Sequence, residues 1–140
     1  MAKLHLLKLC VGVERPEQLH EYHVQRRAAG QELQHTTRMW PRREAEILEG
    51  GSLYWVMRGA IQARQRILRL EEVIGADGIR RCKIVLGQDL MRVISAPKRA
   101  FQGWRYLDAA DAPPDLGLVG GDDDDLPDDL REALGQIGVL

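Results

Sequence analysis

The sequence contains little cysteine. Of its 140 residues only Cys10 and Cys82 are cysteines, and neither belongs to a CxxC pair. A disulfide-stapled secreted fold or a cysteine-rich zinc site is therefore excluded, because each needs several cysteines at set spacings. Two isolated cysteines are typical of buried thiols in a reducing compartment, so the predicted location is the cytoplasm.

Long apolar runs are also absent. The longest uncharged apolar run extends from Leu53 to Met57, whereas a membrane-spanning helix needs about 20 apolar residues. Lys3 and Lys8 interrupt the apolar N-terminus, so we expect no signal-peptide core there. The composition predicts a soluble protein with no membrane partner.

No complete catalytic or metal-binding motif is present. His20 and His23 are spaced i, i+3 on a predicted helix, but no other cysteine, histidine or carboxylate cluster has a matching spacing. The aspartates at 122–125 lack the pattern of an EF-hand loop, and Ser52 and Ser95 lack the context of a nucleophile elbow. We expect no metal and no cofactor, and whether the protein is an enzyme stays open.

Charge is distributed unevenly along the chain. Residues 107–140 contain ten acidic residues and one basic residue, a net charge of −9, whereas residues 1–106 contain 19 basic and 11 acidic residues, a net charge of +8. Sixteen of the 20 basic residues are arginines, whose forked donors suit phosphates and base edges. Such a basic body attracts polyanions, although arginine-rich codon usage with a solvated surface would give the same composition. The acidic tail is expected to screen this positive field, to compete with a polyanion for the basic body, or only to keep the protein soluble.

The N-terminal half predicts a strand and two short helices. Residues 3–11 alternate as a strand with Leu4, Leu6 and Cys10 facing inward, and a helix over 16–29 begins at a proline and is followed by a glycine. Residues 31–38 are ambiguous between a short strand and an extended linker. The second helix is predicted over 41–49, ended by a pair of glycines.

The clearest pattern is a central β-meander. Residues 52–58 and 60–70 predict two strands joined at Gly59, and residues 79–86 predict a third. Asp77-Gly78 is a favoured pair for a two-residue hairpin loop between the second and third strands.

The C-terminal third predicts short strands and then an acidic tail. Strands are expected at 91–94 and 101–107, followed by a linker rich in Ala, Pro, Asp and Gly up to residue 125. A short amphipathic helix follows, with an apolar stripe of Leu130, Leu134 and Ile137. We therefore divide the chain into an α+β core domain (1–107) and an acidic linker with a C-terminal helix (108–140). The core is expected to be a curved mixed sheet or a small barrel with two short flanking helices.

The meander predicts a strongly basic sheet face. With a two-residue loop, residue 76 pairs with residue 79, and four cations then share one face: Arg64, Arg66, Arg81 and Lys83. Four cations on one face repel one another unless they are solvated or neutralised by an anion. The face is therefore either a phosphate-binding surface or an ordinary solvated face.

The segment HTTRMWPRR (35–43) concentrates residues that bind anions. It places hydroxyls, cations and an aromatic ring just before a helix start: His35, Thr36, Thr37, Arg38, Trp40, Arg42 and Arg43. Trp40 either stacks on a base or packs in the core. As an alternative, an anionic-ligand pocket is expected around His35, Thr36, Thr37 and Arg38.

Aromatic residues are few, and five of the seven lie in two predicted strands. In FQGWRYL (101–107), Arg105 stands between Trp104 and Tyr106, which point to the opposite face from it. We expect most of these rings to pack in the core, with Trp104 as the exposed exception.

Four segments resemble an uncharacterised alphaproteobacterial family that carries a domain-of-unknown-function label: HTTRMWP, GGSLYWVMRGAIQARQRIL, DGIRRCKIVL and FQGWRYL. The resemblance covers most of residues 3–107 and leaves the acidic tail outside it. It implies no activity, cofactor or site residues.

A second similarity, one of pattern, is to PUA-like domains and their ASCH and EVE relatives. GGSLYWV followed by GAIQARQRI resembles the glycine, strand and hairpin that lead into a long strand in those domains. The resemblance implies a small PUA-like β-barrel that binds RNA or modified bases. Some ASCH members are hydrolases, but their lysine–threonine–glutamate set is not found here with any clear match.

The leading hypothesis is therefore a nucleic-acid-binding module, more specifically for RNA. The basic sheet face, the arginines of segment 35–43 and Arg105 would meet phosphates, and Trp40 or Trp104 would stack on a base. The alternatives are a small enzyme or anionic-ligand-binding barrel, and an adaptor that binds a protein partner through its C-terminal helix.

Overall fold

The computed structural model describes residues 4–120 of the chain. Its elements follow in this order: β1 (Leu4–Leu9), α1 (Pro16–Ala28), β2 (Gln34–Thr37), α2 (Glu44–Leu48), β3 (Ser52–Met57), β4 (Ala60–Ile74), β5 (Arg80–Pro97), β6 (Trp104–Asp108), a 3₁₀ turn (Ala109–Asp111) and β7 (Asp115–Leu118). Within this range neither helix has the length and apolar character needed to span a bilayer. The C-terminal helix predicted from residue 126 lies outside the described residues.

All seven strands belong to one mixed sheet. Its order is β2-β5-β4-β3-β1-β6, and β7 pairs with β5 beyond this path. β1 and β3 are parallel, because the long connection through α1, β2 and α2 allows it, and the other pairs are antiparallel. The sheet is curved but does not close. The α+β prediction with a curved mixed sheet and two short helices is therefore confirmed, whereas the barrel alternative is not.

Proline and glycine set the limits of the helices. Pro16 lies in the first turn of α1, where its missing N–H has no intrahelical partner to lose, and Gly30 follows the helix with φ of +74°. After α2, the N–H of Gly51 donates to the carbonyl of Ile47 at 2.7 Å, and a Cβ at this position would overlap two backbone carbonyls. The helix α1 begins at the predicted proline and ends one residue before the predicted position 29, whereas α2 begins three residues later and ends one residue earlier than the predicted 41–49.

The hairpin between β4 and β5 differs from the expected two-residue loop. β4 ends at Ile74 and β5 begins opposite it at Arg80, which leaves a five-residue connection. Asp77 holds this connection, because its carboxylate accepts a hydrogen bond from the N–H of Ile79 at 3.0 Å and also binds Arg81. The pairing next to the hairpin is therefore displaced by one residue from the predicted register.

The long strand β5 takes the place of two shorter predicted strands. The sequence predicts separate strands at 79–86 and 91–94, but β5 is continuous over 18 residues. Register shifts in its pairing with β4 absorb the irregular spacing between those segments. β7 lies in the stretch expected to be an acidic linker and pairs with β5, so the sheet extends beyond residue 107.

Each face of the sheet covers its own hydrophobic core. The larger core lies beneath the helices and includes Leu6 of β1, Leu19 of α1 and Ile47 of α2. The smaller core, on the opposite face, includes Leu7 and Tyr54. Successive strand residues point to opposite faces, so Leu6 and Leu7 mark the two sides. Leu4, Leu6 and Cys10 all belong to the larger core, as predicted.

Candidate functional site

The four cations of the predicted basic face do point to one side of the sheet. Their strand neighbours Ala63, Ile67, Cys82 and Ile84 belong to the larger core, so the cations point away from it. Three of the four are ion-paired: Arg64 with Asp115 at 2.6 Å, Arg81 with Asp77 at 2.8 Å, and Lys83 with Glu32 at 3.0 Å. Arg66 is exposed and has no carboxylate partner among residues 4–120. Most of the charge on this face is thus neutralised within the protein.

The cations of this face are also far apart along the sheet. Arg64 pairs across the sheet with Met91, whereas Lys83 pairs with Glu71, seven residues further along β4. At 3.3 Å per residue, these positions are roughly 20 Å apart. A single phosphate group cannot contact both.

Two segments that are distant in the sequence meet on the surface of β6. The indole Nε1 of Trp104 donates to the carbonyl of Met39 at 2.8 Å, and the hydroxyl of Tyr106 accepts from the N–H groups of Arg42 and Arg43 at 2.9 and 3.2 Å. The predicted segments HTTRMWPRR and FQGWRYL are therefore neighbours. We call this region the loop–β6 surface, formed by residues 38–43 and β6.

The tryptophans of the loop–β6 surface are already in contact with other groups. Trp104 is 7% exposed, so the expectation that it would be the exposed ring is wrong; its hydrogen bond to the loop backbone and its edge contact with Tyr106 bury it. Trp40 is half-buried, donates to Glu44 at 3.2 Å, and has the guanidinium of Arg80 at 4.7 Å from its ring centre. An open stacking face is therefore not offered by Trp104.

The arginines of the loop–β6 surface differ in their pairing. Arg43 is ion-paired with Glu46. Arg38, Arg42 and Arg105 have no carboxylate partner in the described part of the chain, and Arg105 lies over the ring of Phe101 at 5.3 Å. Three cations are thus without a counter-ion among the described residues, but Arg105 pairs with Leu7 of the smaller core and points to the opposite face of β6 from Trp104 and Tyr106.

The predicted anionic-ligand pocket is only partly assembled. Thr36 donates its hydroxyl hydrogen to Gln34 at 2.8 Å, and the hydroxyl of Thr37 accepts from the N–H of Met39 at 3.2 Å. These two threonines and Arg38 do not line the cavity that His35 faces. Alternation along β2 separates His35 from Thr36, which points to the other side.

His35 lines a cleft of about 440 Å³ between α1 and the sheet, at the C-terminal end of β1. We call it the α1 cleft. It is lined by residues of β1 and the loop after it, of α1, of the segment leading into β2, and of the central strands: Lys8, Leu9, Cys10, Val11, Gly12, Val13, Leu19, Tyr22, His23, Arg26, Leu33, Gln34, His35, Trp55 and Leu86. None of these residues is acidic.

Lys8 reaches the α1 cleft because it occupies a core-facing position of β1. It follows Leu4 and Leu6 in the alternation of this strand and lies opposite Trp55 in the parallel pairing with β3. Lys8 is half-buried and has no carboxylate partner among residues 4–120. A half-buried ammonium without an internal counter-ion favours an external anion.

A buried hydrogen-bond chain fixes the orientation of His23. The indole Nε1 of Trp55 can only donate, and it donates to Oε1 of the fully buried Gln65 at 2.9 Å. The amide nitrogen of Gln65 therefore donates to the carbonyl of Gly87 at 3.1 Å and faces Nδ1 of His23 at 3.4 Å. In the neutral imidazole Nδ1 is then the acceptor, so Nε2 carries the proton and is a donor.

Both histidines of the α1 cleft are neutral at physiological pH. Burial lowers the pKa of His23 to about 4, and the neighbouring His20 and Arg26 side chains contribute in the same direction. Burial also lowers the pKa of His35 to about 4, and Lys8 contributes in the same direction. No carboxylate contributes to either shift, which agrees with a cleft whose potential is positive.

The ring nitrogens of His35 are free to bind a ligand. The imidazole makes no hydrogen bond to any described residue. Every buried side-chain nitrogen or oxygen among these residues does have a hydrogen-bond partner, so the ring nitrogens of His35 are not buried atoms. The nitrogens of this half-buried ring must therefore be reached by solvent, from the cleft that the residue lines.

Cys10 is not positioned to act as a nucleophile. Burial raises the pKa of its thiol to about 11, so the thiolate is scarce at neutral pH. Within residues 4–120 no group of three histidine, cysteine or acidic side chains is close enough to hold a metal ion. The cleft is therefore equipped for binding rather than for thiol chemistry.

Two residues were overlooked that sequence patterns could have identified: Lys8, which lines the cleft, and Gln65, which belongs to the buried hydrogen-bond chain that holds His23. The alternation Leu4, Leu6, Lys8, Cys10 already places a lysine on the buried face of β1, and Gln65 follows Ala63 on the buried face of β4. A polar or charged residue in the inward register of a strand marks a partner or a site. Tyr22 and Arg26 of α1 carry no comparable signal.

The fold and the cleft together define a class: a small α+β domain with an open mixed sheet and a cation-lined cleft beside its parallel strand pair. The chain belongs to the DUF1489 family, described as a protein of unknown function, whose model matches residues 6–140. The predicted membership in an uncharacterised family is therefore confirmed, and the match includes the acidic tail, which the resemblance had left outside. No curated protein matches the chain. No solved structure matches it either.

Proposed function

We propose that the domain binds a small anionic molecule in the α1 cleft. The observation that carries this proposal is the composition of the cleft, whose lining within residues 4–120 contains Lys8 and Arg26 but no carboxylate. His23 also lines the cleft, and Nε2 is the nitrogen of its neutral ring that carries a proton to donate. Cations and a fixed donor without a carboxylate acceptor match an anion and disfavour a cation. The volume of about 440 Å³ is within the range of small-molecule sites.

A thermal-shift screen with full-length protein tests this proposal. The panel contains inorganic phosphate, sulfate, citrate and nucleoside monophosphates. We expect at least one anion to raise the Tm, and we expect Lys8→Ala and Arg26→Ala each to weaken its binding about tenfold or more, since each removes a charge-assisted hydrogen bond.

Lys98→Ala is the matched control, because Lys98 is exposed and lies outside the cleft lining. It should leave the Tm shift unchanged. The proposal is overturned if no anion stabilises the protein, or if Lys8→Ala responds to the anions as the wild type does.

A second candidate function is RNA binding through the loop–β6 surface. It is favoured by three arginines that have no carboxylate partner among residues 4–120: Arg38 and Arg42 in the loop beside Tyr106, and Arg105 on the opposite side of the edge strand β6. For this candidate we therefore propose the loop–β6 surface as the RNA contact, instead of the ion-paired sheet face that the sequence predicts. Tyr106 is 37% exposed, with the guanidinium of Arg43 at 5.7 Å from its ring centre and Trp104 against its edge, and its remaining exposed surface is what a base would contact.

Binding of a single-stranded oligouridylate, followed by fluorescence anisotropy over a salt series, tests this candidate. Replacing Arg38, Arg42 and Arg105 together by alanine should reduce the slope of log affinity against log salt by about 2, since each phosphate contact on a single strand contributes roughly 0.7. A control triple variant at Arg15, Arg58 and Arg99 should keep the slope. Equal slopes for the two triple variants would eliminate this surface.

We also propose a cellular location, a source of the family and a ligand class for the protein. We place the protein in the cytoplasm, in line with two unpaired, buried cysteines, and we place its family in alphaproteobacteria. The likeness to PUA-like domains, whose members bind RNA or modified bases, stays a prediction. It concerns the class of ligand, because the sheet of this protein does not close into a barrel. An adaptor role of the C-terminal helix concerns residues outside the described range and is tested by pull-down with and without residues 126–140.

A further inference from the structure

We infer that the ligand of the α1 cleft is a nucleoside monophosphate, in which a planar heteroaromatic ring is joined through a sugar to one phosphate. This inference rests on the proposed anion binding and adds the ring and the number of phosphates. Rings on both walls of the cleft and the number of its cations carry the inference.

The helix wall of the cleft presents a ring and a cation together. Tyr22 and Arg26 are four residues apart on α1, so they lie on the same side of the helix, and both line the cleft. Tyr22 is 51% exposed, which is unusual for a large aromatic side chain beside a core. A half-exposed phenol at the mouth of a cleft offers a face for a flat ligand ring.

The wall of the cleft that the sheet forms also combines aromatic rings with a cation. Lys8 lies opposite Trp55 across the parallel strand pair, and the ring of His35 meets Trp55 edge-on, with 6.2 Å between ring centres. The nitrogens of His35 are accessible, and a neutral imidazole carries one donor and one acceptor. A ring edge with heteroatoms satisfies both, which a plain hydrocarbon ring cannot do.

The number of cations limits the ligand to one phosphate. Lys8 and Arg26 supply two positive charges, and His23 is neutral and adds only a donor. A phosphate monoester carries about −1.5 to −2 charges at pH 7, which two cations balance. A triphosphate would bring further negative charge for which the described lining of the cleft has no counter-ion.

Dissociation constants for four probes test the inference: adenosine 5′-monophosphate, uridine 5′-monophosphate, adenosine and ribose 5-phosphate. Each is titrated into the full-length protein by calorimetry. We expect at least one of the two monophosphates to bind about tenfold or more tightly than either adenosine or ribose 5-phosphate, because only monophosphates engage both the rings and the cations.

Two variants test the contacts to the ring and the contacts to the phosphate separately. Tyr22→Leu should weaken monophosphate binding about tenfold, the loss of one stacking contact, and leave ribose 5-phosphate unaffected. Lys8→Ala should weaken both. Val24→Ala is the matched control, since Val24 is 46% exposed on the same helix and lies outside the lining of the α1 cleft.

The outcomes distinguish this inference from the proposed function. If ribose 5-phosphate binds as tightly as the monophosphates and Lys8→Ala removes both, the cleft is an anion site and the nucleotide inference is wrong. If adenosine binds as tightly as its monophosphate, the phosphate is not recognised and the inference is equally wrong. If none of the probes, nor any anion of the thermal-shift panel, binds, both proposals are overturned.

Discussion

The two faces of the sheet each bury a histidine in a polar network, and the networks differ in whether their charges are paired. On the face of the smaller core, Nδ1 of His5 accepts from the N–H of Ser52 at 3.0 Å, and the hydroxyl of Ser52 accepts from Arg64 at 2.9 Å. Arg64 in turn binds Asp115 through two hydrogen bonds of 2.6 and 2.7 Å. This network joins β1, β3, β4 and β7 and is electrically closed.

The network on the other face is open. His23 is held through Gln65 and Trp55, but Lys8 and Arg26 beside it have no carboxylate partner within the described range. A closed network stabilises the fold and leaves nothing for a ligand to neutralise. An open one leaves positive charge for a ligand, so cation pairing identifies the candidate site better than the number of cations does.

The largest expected loss of stability comes from replacing Gln65, the residue that holds the open network together. Gln65→Ala leaves the indole N–H of Trp55 and the carbonyl of Gly87 without their partner in a buried site and creates a cavity, which should lower the free energy of unfolding by about 3 kcal/mol. Urea denaturation measures it. Gln88→Ala, at an exposed position of β5, is the control and should stay within about 0.5 kcal/mol of wild type. A loss below 1 kcal/mol, about one hydrogen bond, would contradict the buried chain.

Acidification should have the next largest effect on stability for each histidine concerned. Since the folded-state pKa values of His23 and His35 are about 4, the unfolded chain binds more protons between pH 6.5 and pH 4, and stability falls as the pH is lowered through this window. Allowing for partial solvent access, we expect a loss of about 1–2 kcal/mol per histidine between pH 7 and pH 5.

Urea titrations at several pH values measure this loss. Burial also lowers the pKa of His5, so the closed network contributes in the same direction, and His23→Gln should remove only the share of His23. A stability that is constant between pH 7 and pH 5 would show that the histidines of the cleft are not desolvated.

Breaking the closed network should have a smaller effect. Arg64→Met removes the partner of Asp115 and of the Ser52 hydroxyl, and because the Asp115 side chain is 41% exposed and can be hydrated, we expect a loss of about 1 kcal/mol. Arg66→Met, on the same strand and without a carboxylate partner in residues 4–120, should change stability by less than about 0.5 kcal/mol. Equal losses in thermal or urea unfolding would mean that the ion pair contributes nothing.

The smallest effect on stability is expected at the residue that matters most for binding. Lys8→Met replaces a half-buried ammonium by an apolar side chain of similar length, so the free energy of unfolding should stay within about 0.5 kcal/mol or rise. Chemical denaturation in the absence of added anions measures this. A loss of several kcal/mol would show that Lys8 has an internal partner and serves the fold.

Much of the fold could be predicted because local chemistry decides it. Pro16, Gly30 and Gly51 limit the helices, the β-rich composition of 52–57 predicts the fully buried β3, and alternation defines the first half of β4. The hairpin register could not be predicted, since it depends on the Asp77 carboxylate binding the N–H of Ile79 rather than on the Asp-Gly pair alone. The continuity of β5 and the addition of β7 likewise depend on pairings between distant segments.

The candidate site could be predicted less well, because pairing between charges is a tertiary property. Arg64 and Lys83 look equally available in the sequence, yet Asp115 and Glu32, distant along the chain, neutralise them. Trp104 looks exposed in an alternating strand until the loop at Met39 covers it. His35 alone of the predicted pocket residues lines the cleft.

One measurement compares the two networks directly. NMR spectra of the histidine imidazoles of the full-length protein are followed while inorganic phosphate is added at millimolar concentrations and constant ionic strength. We expect saturable shifts in the signals of His23 and His35, none in those of His5, and no shifts in Lys8→Met. Shifts of equal size at His5, or no saturable change at His23 and His35, would contradict an anion site in the α1 cleft.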